Sequence, residues 1–195
     1  MAWDTEGTKR RILEAAVIEF ARLGPDGTTV EKIAKSAGAN KERIYNYFGD
    51  KRELFTTVLR SELAKVAQAV PVTSFSAEDI GEYAGRVYDY HCEHPELSRL
   101  MRWEGLTFDG KVPDEALRRE YYGYKIQAVA DGQRQGTVTH ALEPDHLAFL
   151  ILALAGWWSA VPQVARMFTG RDDAEEHTRR RASVVEAARR LASAP

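Results

Sequence analysis

Cysteine is nearly absent from this chain: Cys92 is the single thiol in 195 residues. No disulfide can form within the chain, which fits a reducing compartment. Charge of one sign is also lacking, because 27 Lys/Arg stand against 29 Asp/Glu for a net of −2. That balance excludes a polycation that coats nucleic acid along its whole length. The opening "MAWDTEGTKRR" lacks the basic-then-apolar order of a signal peptide. Alternating strand patterns are scarce, and no repeat or low-complexity stretch occurs. Nor is there a Ser-His-Asp spacing, a phosphate-cradling glycine loop or a quartet of metal ligands. An all-helical enzyme, the competing functional class, would need such a converging set.

Long apolar runs are limited to one, "LAFLILALAGWWSAVPQVA" from Leu147 to Ala165. Its 19 uncharged residues are long enough to span a bilayer. Ser159, Pro162 and Gln163 interrupt it, and no second apolar segment accompanies it. The expectation is a helix buried on two sides in a cytoplasmic protein, with no membrane as partner.

What is present is helix punctuation. Ile12, Ala15, Ala16, Phe20 and Leu23 recur at helical spacing, and Gly24 follows as a stop. Thr28 and Glu31 form a capping-box pattern before a short helix of about 30–37 that ends at Gly38. Asn40 caps the next, about 41–48, and Asp50 with Glu53 opens a fourth running to about Ala69. Ser76 and Asp79 open a helix of about 77–93, and Pro95, Pro113 and Pro144 fit first helical positions. The fold class expected is all-α with about nine helices. Residues 1–52 would form an N-terminal three-helix helix-turn-helix domain, with helix four (about 51–69) as connector. Residues 53–195 would form a second, C-terminal helical domain.

Charge is distributed unevenly along this frame. Residues 28–52 hold six Lys/Arg against three Asp/Glu, whereas residues 71–195 carry a net −4. A local basic patch on an acidic chain points to an anionic partner at one end. Two short helices joined by "GAN" describe a helix-turn-helix, whose second helix enters the major groove of double-stranded DNA. Ile44 and Phe48, four apart, can anchor that helix. Lys41, Arg43, Tyr45 and Tyr47 occupy its other faces, where arginine suits guanine and tyrosine hydroxyls suit phosphate. Thr29 and Lys51, each at a helix start, can reach the backbone on either side.

The segments "ILEAAVIEFARLG" at 12–24, "TTVEKIAKSAG" at 28–38 and "IYNYFGDKRELF" at 44–55 resemble the TetR (tetracycline-repressor) family of transcriptional regulators. The resemblance puts Thr29, Asn40, Lys41, Arg43, Tyr45, Tyr47 and Lys51 on DNA-facing positions. Asn40 stands where serine is usual and Glu42-Arg43 where small residues are common. Glu42 would read a cytosine amino group or orient Arg43 or Lys41. The family also implies that residues 53–195 are a ligand-binding and dimerisation domain, giving a homodimer on a palindromic operator that a small effector releases. Its last two long helices form a four-helix bundle across a two-fold axis.

For that bundle, Leu147, Ile151, Leu154, Trp158, Val161 and Ala165 line one face of the apolar helix, and Phe149, Leu152, Gly156 and Ala160 another. One face can cover its own domain and the other a partner. Leu147, Ile151, Leu154 and Trp158, with Val184 and Leu191 of the last helix, are the expected dimer contacts. The "RRR" at 179–181 reads as a solvated face. Tyr83, Val87, His91, Trp103, Phe108, Tyr121, Tyr124 and Trp157 are the candidate pocket residues, suited to a small hydrophobic or aromatic effector. "HCEH" at 91–94 sets two histidines three apart, but Cys92 points away from both. No metal and no cofactor is expected.

Overall fold

The computed structural model describes residues 4–72 and 75–194. Ten helices and no strand occur among them: α1 (Thr5–Gly27), α2 (Val30–Ala37), α3 (Lys41–Phe48), α4 (Lys51–Ala69), α5 (Ala77–Glu93), α6 (Pro95–Thr107), α7 (Glu115–Arg134), α8 (Pro144–Ala160), α9 (Pro162–Thr169) and α10 (Ala174–Ala192). The all-α expectation therefore holds, with ten helices rather than about nine. The additional helix arises because the apolar run is not continuous. Pro162 has no N–H to donate back to Trp158, and its ring crowds that carbonyl. The chain breaks at Val161 (φ −132°, ψ 59°), and α9 leaves α8 at 86°. No single helix among the described residues is long and apolar enough to cross a membrane.

Two other boundaries differ from expectation. Thr29, not Thr28, is the N-cap of α2, its side chain accepting from the Lys32 amide. Pro113 is not a first helical residue either. Asp114 precedes α7 with a left-handed backbone (φ 55°) and no side-chain cap.

By contacts the chain forms two compact units. The first comprises Met1–Lys65 with Glu96–Pro113, and the second Val66–Pro95 with Asp114–Pro195. In the first, Ile12, Phe20, Ile33, Ile44, Leu54, Phe55 and Leu100 are buried together. The Phe20 ring meets Phe55 edge-on at 5.2 Å, and Phe108 stacks on Phe55 at 6.0 Å. Inside α1 the backbone turns sharply at Gly24 (φ 70°), a conformation costly for any residue with a Cβ. Even without that strain a Cβ there would lie 2.7 Å from the Trp103 ring.

In the second unit α5 lies against α8 and α10. Gly81 and Gly85, four apart, make the close α5–α10 crossing possible, since a Cβ would meet the Val185 carbonyl oxygen at 2.9 Å or its Cγ2 at 2.8 Å. Arg180 corrects the reading of "RRR" as a solvated face. It is 4% exposed, donates to Glu176 and Asp172 carboxylates and lies 5.5 Å over the Trp158 ring. Arg181 reaches across to Asp89 on α5 at 2.8 Å. These two arginines hold helices together within the unit.

Candidate DNA interface and effector unit

The first unit builds a basic surface from two short helices, α2 and α3, and the start of α4. α2 is amphipathic, burying Val30, Ile33, Ala34 and Ala37 and leaving Glu31, Lys32, Lys35 and Ser36 outside. Gly38 closes it in the left-handed conformation, its amide donating to the Ala34 and Lys35 carbonyls. Asn40 then caps α3, accepting from the Glu42 amide at 3.3 Å. Ile44 is fully buried and Phe48 packs against the core, which fixes the rotation of α3. That rotation leaves Lys41, Glu42, Tyr45 and Asn46 exposed and Arg43 partly so. Tyr45 is 48% exposed.

The other expected contacts are more tied down. Tyr47 is half-buried, packs on the core and takes the Lys9 ammonium over its ring at 5.6 Å. Lys41 pairs with Glu31 at 3.6 Å. The Glu31 carboxyl lies below its ordinary pKa, held there by backbone and Thr29 hydrogen bonds and by Lys41. The carboxylate beside Lys41 is thus Glu31, one helix earlier, rather than the neighbouring Glu42. Lys51 donates to the Thr28 carbonyl oxygen at 3.1 Å, which brings its charge beside the start of α2. An ammonium has three protons, so this bond leaves donors for a phosphate.

Sequence reasoning missed two supports. Glu19, 8% exposed, accepts from the Thr28 hydroxyl at 3.2 Å and from Arg22 at 3.3 Å, fixing the entry to α2. Its signal was a carboxylate at core spacing on α1, between Ala16 and Phe20. Arg52 donates to the Thr107 carbonyl at 2.9 Å and lies 5.2 Å from the Phe108 ring. It thereby ties the end of α6 to the first turn of α4, a contact 55 residues apart that no local pattern reveals.

The eight candidate pocket residues do not converge. Trp103 and Phe108 belong to the first unit, packed on its core beneath Gly24 and Phe55. In the second unit Tyr83 and Val87 are buried, and His91 faces Gly156 of α8. Tyr121, Tyr124 and Trp157 are exposed, Trp157 by 64%. A small cavity of about 10 Å³ is lined by Phe75, Ile80, Tyr83, Lys125, Val129, Ala148 and Ile151. Of the eight, Tyr83 alone lines it. Burial pushes the Tyr83 hydroxyl well above its usual pKa, lowers the Lys125 amine and lowers the His91 imidazole. His94 lies against the Tyr90 ring at 4.3 Å. No group of three metal-ligating side chains occurs among the described residues.

The expected dimer contacts need a correction as well. Leu147, Ile151 and Val184 are 0%, 3% and 2% exposed, so they are core of their own unit. Leu191 and Trp158 are half-buried, and Leu154 is 36% exposed. The open face of α8 is neither of the two expected: it joins Phe149 (72% exposed) to Leu150 (39%), Leu154 and Trp157 (64%), while Leu152, Gly156 and Ala160 are half-buried. An α-helix that is apolar all round carries no pattern to say which side faces inward.

A capped helix-turn-helix with a basic, tyrosine-bearing second helix, followed by an all-helical unit, defines a DNA-binding transcriptional regulator. Residues 12–58 match the model of bacterial regulatory proteins of the tetR family, and residues 79–190 match the tetracyclin repressor-like C-terminal domain. The chain belongs to the TetR family. It is 45% identical over 191 residues to the HTH-type transcriptional repressor SCO4008 of Streptomyces coelicolor, covering 97% of each chain. It is 27% identical over 186 residues to the repressor NicS of Pseudomonas putida, covering 91% of this chain and 88% of that one. The crystal structure of SCO4942 from Streptomyces coelicolor superposes with a TM-score of 0.82 at 30% identity, over 96% of this chain and 99% of that one. FadR of Bacillus subtilis, crystallised with stearoyl-CoA, shares the fold at a TM-score of 0.72 and 16% identity, over 94% and 98%.

Proposed function

We propose that this chain is a homodimeric, cytoplasmic repressor that holds a palindromic operator and leaves it when a small hydrophobic or aromatic effector binds. The observation that carries the reading is the exposed face of α3, where Lys41, Arg43 and Tyr45 project from a helix fixed by buried Ile44. Repression is supported by the name of the 45% identical relative, a transcriptional repressor. Thr29, Asn40, Lys41, Arg43, Tyr45, Tyr47 and Lys51 make up the DNA-binding set. Arg43 is the base reader, and Thr29, Tyr45 and Lys51 serve the phosphates. One helix-turn-helix makes few contacts, so two copies on half-sites one turn apart supply the required specificity.

The second copy docks on α8 through Phe149, Leu150, Leu154 and Trp157. Exposed apolar faces of this kind mark interaction sites. The effector enters the second unit beside Tyr83, Val87 and His91, enlarging a cavity that is otherwise nearly closed. α4, whose residues belong to both units, is one of three places where the chain passes between them. A ligand shifts DNA affinity only if it binds two arrangements unequally. The test is gel retardation of the promoter fragment nearest the protein's own coding region, repeated with candidate effectors. A retarded palindromic fragment released by one effector class supports the reading; retention of no fragment overturns it.

A further inference from the structure

A groove in the first unit is not used by any of the DNA-binding or effector residues above except Trp103. It runs between α1 and α6 with a volume of about 330 Å³, and Ala21, Arg22, Arg99, Arg102, Trp103 and Leu106 line it. On α6 the spacing 99, 102, 103, 106 places all four residues on one helical face. That volume falls within the range of small-molecule sites.

Its chemistry is two-sided. Trp103 is half-buried and Leu106 is 73% exposed, which gives an apolar wall that the chain leaves open. Arg22, Arg99 and Arg102 line the same space. The carboxylate paired there with Arg22 is Glu19, which also accepts from Thr28. Guanidinium forks match carboxylates bidentately, and an indole face suits a flat ring.

We propose that the α1–α6 groove is a small-molecule site for a flat aromatic acid, its ring against Trp103 and its carboxylate between Arg99 and Arg102. Arg22 gives the site a lever. It shares Glu19 with Thr28, the residue preceding the N-cap of α2. A ligand acid that draws Arg22 away from Glu19 alters the hydrogen bonding at the entry to the helix-turn-helix.

The test is titration of the full chain with naphthalene-2-carboxylate, against neutral naphthalene-2-methanol. Four tryptophans are present, so a Trp3→Phe, Trp157→Phe, Trp158→Phe variant reports from Trp103 alone. Calorimetry on the unaltered chain checks that these changes leave binding intact. The expected result is saturable quenching by the acid and not by the alcohol. Arg99→Ala with Arg102→Ala weakens binding by more than about tenfold, since loss of either charge-assisted contact alone accounts for about that much. Arg99→Lys with Arg102→Lys keeps part of it. Equal binding of the alcohol, binding that survives loss of both arginines, or no saturable quenching up to the solubility limit each overturn the site. An acid that binds yet leaves operator affinity unchanged overturns the Arg22–Glu19 lever.

Discussion

Replacing Lys51 by alanine isolates one charge at the rim of the proposed DNA-facing surface. Its ammonium sits 3.1 Å from the Thr28 carbonyl oxygen, one residue before the α2 N-cap. In the proposed homodimer two such lysines face phosphates, so the substitution would remove two contacts per operator. Each contact contributes about −0.9 to the slope of log affinity against log salt, so the slope flattens by about 1.8. The ratio of wild-type to variant affinity therefore rises about twelvefold as salt falls from about 200 to about 50 mM. Folding is little affected, because the lost hydrogen bond contributes about 1 kcal/mol. Fluorescence anisotropy with labelled operator across that salt range measures the slopes, and Lys51→Arg should keep the wild-type slope. Parallel lines for wild type and Lys51→Ala would refute the placement of Lys51 on a phosphate.

Other outcomes follow from packing and titration. Phe20 is fully buried against Phe55, so Phe20→Ala should cost about 3–5 kcal/mol in denaturant unfolding, with DNA binding lost alongside. Phe149→Glu with Trp157→Glu should convert a sedimenting dimer to a monomer while leaving the thermal midpoint of the monomer fold intact, because both rings are exposed. An unchanged dimer would show that another face carries the interface. Burial lowers the His91 pKa, so the folded chain favours its neutral ring. The unfolded chain takes up that proton as pH falls through about 6.5, so this stabilising contribution is full above that pH and declines below it. His91→Gln should flatten the fall of stability between about pH 7 and 5; an unchanged slope would assign the fall to other groups.

The N-terminal unit was legible because its signals are local. Gly38, Asn40, Asp50 and Glu53 each act on the next turn of backbone, and Ile44 with Phe48 fixes the rotation of α3. The one-residue shift from Thr28 to Thr29 shows how two adjacent threonines leave a cap ambiguous. Legibility fell where burial depends on distant partners. On α8 every face is apolar, so periodicity gave no preference, and the side expected to be open turned out to face its own unit. Trp103 and Phe108 look like cavity aromatics by composition, yet a kink at Gly24 and the ring of Phe55 claim them for the first unit. The second arginine of "RRR" was hidden for the same reason. Its carboxylates, Asp172 and Glu176, are near in sequence, but the folded turn after α9 is what buries it.

In the proposed complex α3 reads a sequence in the major groove through Arg43. Selection of bound fragments from a random DNA pool, run in parallel for wild type and Arg43→Ala, tests it most directly. Wild type should enrich a palindrome with half-sites about one helical turn apart, and Arg43→Ala should lose about 1–3 kcal/mol of discrimination at one base pair in each half-site. No enriched sequence with wild type, or the same preference at every position in both proteins, would contradict it.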